Sequence, residues 1–326
     1  INEFSPEKYK SLEVSQKVRV IAEGIGVARS YIFLPYEPQP KKNPLIIFLH
    51  GWMGTNPKNF GAIIDHFVRR GAVIIYPVYQ IDEKTIPQTI TENAGKSIEK
   101  AIARLNVEFP TIIDKEKTMF YGFSMGATMA LNLAIDAKIY QIPSPKALLL
   151  ASPGDAHHVF HGELSKTILN HSIEELSNNI PVVIMTGKDD TSIGLPTAKE
   201  YWEKLCKQKR LVTLIVWPSG GSNEEKVIAG HGAPGAPDER YNYENIYEIV
   251  DSYVNRQESF PVSKSINNID YYGQWKVMSG FYEYLSTQRA IEWIFEKNDI
   301  MSNLGTFKDG SAYPQAYIQS GCKYDN

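Results

Sequence analysis

The sequence predicts an α/β chain with one mostly parallel sheet of about eight strands, covered by helices on both faces. Three observations carry that expectation. Short β-branched runs alternate with longer stretches of helical period, the order in which strand–helix–strand units follow one another. Most of the later runs are apolar throughout, as strands buried on both faces must be. A chain of 326 residues, 43% hydrophobic and 22% charged, also has the size and composition to bury a large core.

Strands are expected, in order, at Lys17–Ala22, Arg29–Leu34, Leu45–Leu49, Ala72–Tyr76, Thr118–Tyr121, Ala147–Ala151, Val182–Thr186 and Leu211–Trp217. Helices are expected between them at Asn59–Arg70, Glu92–Glu108, Met125–Ile135, Thr197–Lys207 and Tyr243–Asn255. In the second of these, Ala94, Ile98, Ala101, Ile102 and Leu105 recur at helical spacing and form one buried stripe. Between Ser152 and Ile180 the rhythm lapses into a His-rich, partly helical insert, long enough for a lid and too short for a domain. Residues 1–257 make the core, and residues 258–326 make an extension packed on it. That extension carries an aromatic helical stretch, Tyr271–Phe295, and then a Gly-, Ser- and Tyr-rich tail.

Composition excludes several functions. Thirty-four Lys plus Arg against 37 Asp plus Glu leave a net charge of −3 with no long basic run. The counterion-release attraction that drives nucleic-acid binding therefore has no source. The longest apolar stretches, Pro44–Leu49 and Ala147–Ala151, fall far short of the roughly 18 residues that cross a bilayer. Two cysteines, Cys206 and Cys322, exclude a disulfide-built scaffold and a multi-cysteine metal cluster. They read as two thiols, with a single disulfide as the alternative. The chain opens on Ile1 without a charged-then-apolar leader, as expected of a processed exported protein or of a trimmed chain, and the compartment stays open.

The sharpest chemical signal is Gly122-Phe123-Ser124-Met125-Gly126, a G-x-S-x-G match between the strand ending at Tyr121 and the helix-forming run Ala127–Leu131. A turn this tight needs flanking glycines because bulkier residues would clash, and it holds the serine exposed in a strained conformation. The plainer alternative is a Gly-rich turn whose serine caps the helix. Upstream, the strand Leu45–Leu49 runs into His50-Gly51-Trp52-Met53-Gly54.

An apolar strand ending in His-Gly, followed about 70 residues later by such an elbow, resembles the α/β-hydrolase superfamily over roughly residues 29–255. Within it the chain is similar to lid-poor esterases of the dienelactone hydrolase, chlorophyllase and polyester hydrolase kind. The resemblance implies the α/β-hydrolase fold, with the short insert and the C-terminal extension added. It also implies a serine hydrolase that cleaves carboxylic esters through an acyl-enzyme on Ser124, needs no cofactor and takes a small-molecule or acyl ester as its partner.

Further roles follow from the resemblance. Attack on an ester develops negative charge on the carbonyl oxygen, which preorganised N–H donors stabilise by about 3 to 4 kcal/mol each. In similar proteins those donors are the amides of the residues matching Met125 and Trp52, and His50 supports its loop by hydrogen bonding. A serine hydroxyl is a weak nucleophile and needs a base, which the superfamily places after the last strand. His231 fits, in the Gly-rich loop Ala229–Pro234. The acid that orients it stands, in resembling proteins, three residues after the glycine of Gly187-Lys188-Asp189-Asp190, which selects Asp190. Asp189 and Asp155 remain open as alternatives. Since the base must be neutral, hydrolysis is expected to fall as pH drops through about 6 to 7.

Bulk at Trp52, Phe123 and Met125 predicts an apolar wall around the acyl group, with His157 and His158 of the insert at the pocket edge. The run Asp155–His161 invites a zinc reading, but catalytic zinc needs three rigidly held ligands with satisfied outer partners, and no metal is expected. His66, inside a predicted helix, reads as structural. Tyr271, Tyr272 and Trp275, like Phe281, Tyr282 and Tyr284, read as core rather than as a carbohydrate platform. Two rivals stand beside the esterase. One is a non-catalytic binding protein that keeps the fold, because fold does not fix function. The other keeps the same triad and acts on peptide, thioester or polyester substrates.

Overall fold

The apolar runs pair into a single large sheet in the computed structural model, which describes residues 4–82, 85, 87–155, 168–208, 210–222, 225–243 and 265–321. After a short helix α1 (Pro6–Ser11), β1 (Lys17–Glu23) and β2 (Ser30–Tyr36) form an antiparallel hairpin. Six strands follow: β3 (Asn43–Leu49), β4 (Val73–Pro77), β5 (Ile113–Phe123), β6 (Leu148–Ala151), β7 (Val182–Gly187) and β8 (Val212–Trp217). All six run parallel, in the spatial order β4-β3-β5-β6-β7-β8, with the hairpin joined antiparallel to β4 through β2. A two-residue ribbon, β9 (Gly220–Gly221) with β10 (Lys226–Val227), leads into the loop of residues 229–236. A last strand, β11 (Tyr317–Ser320), adds antiparallel to β8.

Among the described residues the expected sheet of about eight strands has nine, the tail contributing β11 at its edge. Of its four residues only Ile318 is buried, so a short edge strand of this kind leaves almost no apolar pattern to read. The cysteine reading is also corrected. Cys206 is disulfide-bonded and is 5% exposed. Cys322, the chain's other cysteine, lies outside the described residues, as does most of the expected helix Tyr243–Asn255.

Helices α2 (Gly61–Arg69), α3 (Pro87–Glu108), α4 (Met125–Ile135) and α5 (Gly194–Cys206) connect the parallel strands. Every member of the stripe Ala94, Ile98, Ala101, Ile102 and Leu105 is buried, in the core shared by α3, α4 and α5. Each Ile or Leu buried there contributes about 1.5 to 3 kcal/mol. The opposite face packs on α2 and on the aromatic stretch of the extension. That stretch divides into a π-helix, Ile269–Trp275, the helix α6 (Lys276–Thr287) and a 3₁₀ turn, Glu292–Phe295. Trp275 and Phe281 are buried, and Tyr271, Tyr272 and Tyr284 pack at the edge of the same core. His66 stacks on Trp275 with ring centroids 5.1 Å apart, and burial lowers its pKa, which suits a neutral structural histidine.

Asp270, on the π-helix, is fully buried. Its carboxyl accepts from the Asn267 amide at 2.8 Å and from Gln274 Nε2 at 2.9 Å, yet desolvation dominates and pushes its pKa up to about 8. The folded chain therefore holds a proton here that the unfolded chain has released above about pH 4. Stability from this site is complete below that pH and is lost as pH rises through about 8. The slope should approach about 1.4 kcal/mol per pH unit in between. Urea unfolding of wild type and Asp270→Asn at several pH values should show a shallower decline in the variant. Equal slopes would remove Asp270 as the source.

Candidate active site

The site grows out of the C-terminal ends of the parallel strands, where an open α/β sheet leaves a crevice. At the end of β5, Ser124 adopts φ 54° and ψ −123°, a conformation that L-residues enter only under constraint. The constraint is visible in its backbone. The Ser124 amide donates to the Ala151 carbonyl at 2.9 Å, and its own carbonyl accepts from Ala127 at 2.9 Å and Gly154 at 3.0 Å. A Cβ on Gly122 would collide with the backbone of Gly126 and Ala127, and one on Gly126 with the carbonyl oxygens of Leu49 and His50. The two glycines thus let α4 begin directly against the end of β3. Apart from Ile135 the helix is buried on every side, as its largely apolar sequence requires.

That close approach sets the loop after β3 beside the serine. A Cβ on Gly51 would lie 3.1 Å from Ser124 Cβ. His50 is fully buried and its ring lies parallel to Tyr79 at 4.0 Å; burial drives its pKa down to about 4. The neutral ring donates through Nδ1 to the Gly51 carbonyl at 2.6 Å, while Tyr79 and Tyr76 donate to the carbonyls of His50 and Gly54. The Met53 amide donates to Gln80 Oε1 at 2.7 Å. Trp52 therefore sits in a loop fixed from several directions. Met125 opens α4, where backbone amides have no intrahelical acceptor.

His231 stands after β10, and its ring joins the other two residues. Nε2 lies 2.9 Å from Ser124 Oγ, and Nδ1 lies 2.8 Å from Asp190 Oδ2. The histidine side chain is 14% exposed and that of Asp190 is 2% exposed, so the ion pair formed on protonation would be shielded from water. Phe123 flanks the ring at 5.3 Å between centroids and packs against Phe60.

The alternative acids lie elsewhere. Asp189 Oδ2 accepts from Ser219 Oγ, which in turn accepts from the Ala229 amide at 2.7 Å; Asp189 braces the start of the histidine loop. Asp155 is buried and accepts from the Ile168 amide at 2.6 Å, a contact within the insert. His157 and His158 lie outside the described residues, as does most of Asp155–His161. Among the described residues, no group of three or more His, Cys, Asp or Glu side chains could hold a metal ion, and no helix is long and apolar enough to cross a membrane.

The sequence profile of the dienelactone hydrolase family matches residues 29–222, more than half of the chain. The chain belongs to the dienelactone hydrolase family. The match spans Ser124 and Asp190 and stops short of His231. The hydrolase has the α/β-hydrolase fold, with its sheet extended by β11. Among solved structures it is similar to a thermostable esterase from Pseudomonas putida, at 20% identity over 64% of this chain and 76% of that one, with a TM-score of 0.48. An esterase from Rhizomucor miehei shares 17% identity over 65% and 76%, with a TM-score of 0.47. Carboxyl esterase 2 of Tuber melanosporum shares 13% over 62% and 77%, with a TM-score of 0.48. No curated protein matches the hydrolase's sequence.

Sequence reading missed two glycines at this site. Gly154 would bring a Cβ within 3.1 Å of Ser124 Oγ, and a Cβ on Gly194 would collide with Asp190 Oδ2, the oxygen that faces His231. Nothing in the flanking residues marks either one, because the neighbour each glycine accommodates is distant in the chain or on the far side of a turn. Gly194→Ala should displace the Asp190 carboxylate and lower kcat/KM by about 100-fold, the scale of a 1 Å misplacement. Initial rates would test this, and a wild-type value would mean that the carboxylate can yield without consequence.

Proposed function

We propose that this hydrolase cleaves carboxylic esters through an acyl-enzyme on Ser124, with His231 as base and Asp190 as its orienting acid. The observation that supports this most is the continuous hydrogen-bond chain from Ser124 Oγ through His231 to Asp190, at 2.9 and 2.8 Å. The neutral ring accepts the serine proton at Nε2 while its Nδ1–H donates to the carboxylate, which fixes the tautomer a base requires. Attack on the ester carbonyl then places negative charge within reach of the Met125 and Trp52 amides, held in position before the reaction begins. His231 returns the proton to the departing alcohol. The same ring next activates water to release the acid and regenerate Ser124.

The complete relay argues against a role as a non-catalytic binder. A fluorophosphonate should add one mass increment to the protein, located on Ser124, and an ester series graded by acyl length should be turned over with a preference for short or medium chains. Absence of both the adduct and turnover would leave the binding role. Turnover confined to thioesters, peptides or polyesters would keep the relay and change the substrate.

A further inference from the structure

We propose that Gln274 is a positioning residue that holds the Ser124 strand and the His231 loop at their working separation, an inference that rests on the hydrolytic reading above. Tyr121 stands on β5 three residues before Ser124, and its hydroxyl donates to Gln274 Oε1 at 2.8 Å. Pro234 stands three residues after His231, and its carbonyl accepts from Gln274 Nε2 at 2.9 Å. The second hydrogen on Nε2 goes to Asp270 Oδ1 at 2.9 Å. One side-chain amide therefore bridges the segment that carries the nucleophile and the segment that carries the base.

The chemistry fixes the amide's orientation. Nε2 faces the Pro234 carbonyl, which can only accept, so reversing the amide would set oxygen against oxygen there. Tyr121, Gln274 and Asp270 are all fully buried, which leaves water unable to substitute for a lost contact. Asp270 is itself held by the Asn267 amide, within a π-helix, a winding that recurs at functional sites. The buried cation nearby lacks this bridging geometry. Lys276 donates to the carbonyls of Ile300, Met301 and Asn303, all within the extension itself. Gln274 lies outside residues 29–222, so this brace comes from the part of the chain that the family profile does not match.

The test uses the full chain and p-nitrophenyl butyrate at a temperature well below unfolding. Gln274→Met keeps the side chain's length and removes its hydrogen bonds; kcat should fall about 10- to 100-fold while KM stays within about twofold. Tyr121→Phe deletes one hydroxyl and should lower kcat about 3- to 10-fold, again with little change in KM. Labelling of Ser124 by a fluorophosphonate should slow in parallel. Lys276→Met, equally buried in the extension, should lower the unfolding temperature and leave kcat within about twofold.

Wild-type kcat and labelling rates in Gln274→Met and Tyr121→Phe would overturn the inference, as would an equal kcat loss in Lys276→Met. Should Gln274→Met fail to fold, Tyr121→Phe decides by the same criterion. If wild-type protein neither labels nor turns over ester, the hydrolytic reading itself fails and this inference falls with it.

Discussion

Ser124→Ala should remove nearly all ester hydrolysis, a loss of about 10⁴- to 10⁶-fold in kcat with KM close to wild type. The size follows from the unity of the relay. On the proposed mechanism, removing Oγ leaves His231 no proton to accept and no acyl-enzyme to form, while binding of the ester by the amides and pocket walls should persist. Alanine at this position keeps the strained φ of 54°, so the elbow's backbone bonds to Ala151, Ala127 and Gly154 should survive and the unfolding temperature should move little. Initial rates beside a thermal melt separate the two effects. A variant that retains more than a tenth of the wild-type rate would sink the assignment of Ser124 as nucleophile.

Asp190→Asn should cost about 10⁴-fold in kcat, because an amide facing Nδ1 favours the wrong histidine tautomer while preserving shape. The same change at Asp189 should cost no more than about tenfold, since that carboxylate acts on the loop through Ser219 rather than on the ring. Asp155→Asn weakens the contact with Ile168 and should act mainly on stability. Rate measurements on the three variants rank the candidates, and a largest loss at Asp155 or Asp189 would reassign the acid.

The ranking shows how far the site could be read from the chain alone. The parallel strands were legible because burial on both faces removes polar residues from a run, and segments as short and apolar as Leu45–Leu49 or Val182–Thr186 fit a central strand far better than a helix. The elbow was legible because its geometry excludes side chains at Gly122 and Gly126, writing a steric requirement directly into the sequence. His231 and Asp190 needed the family resemblance, since what joins them is a hydrogen bond across 41 positions rather than any local pattern. Gln274 and Gly194 could not be read at all. Each meets its neighbour only in the fold, and neither residue type announces such a contact. The disulfide at Cys206 was legible only as an alternative, because pairing depends on which thiols the folded chain brings together.

The final strand carries a consequence for how the molecule is made. Ile318 lies opposite Ile215, so the outer border of β8 acquires its partner only after residues 317–320 have been synthesised, long after β8 itself. A product truncated before residue 317 would present the Val212–Trp217 backbone with unsatisfied amides and carbonyls along one side, an invitation to intermolecular strand pairing. Loss of residues 317–320 should therefore show itself first as insolubility, before any change in catalysis can be measured.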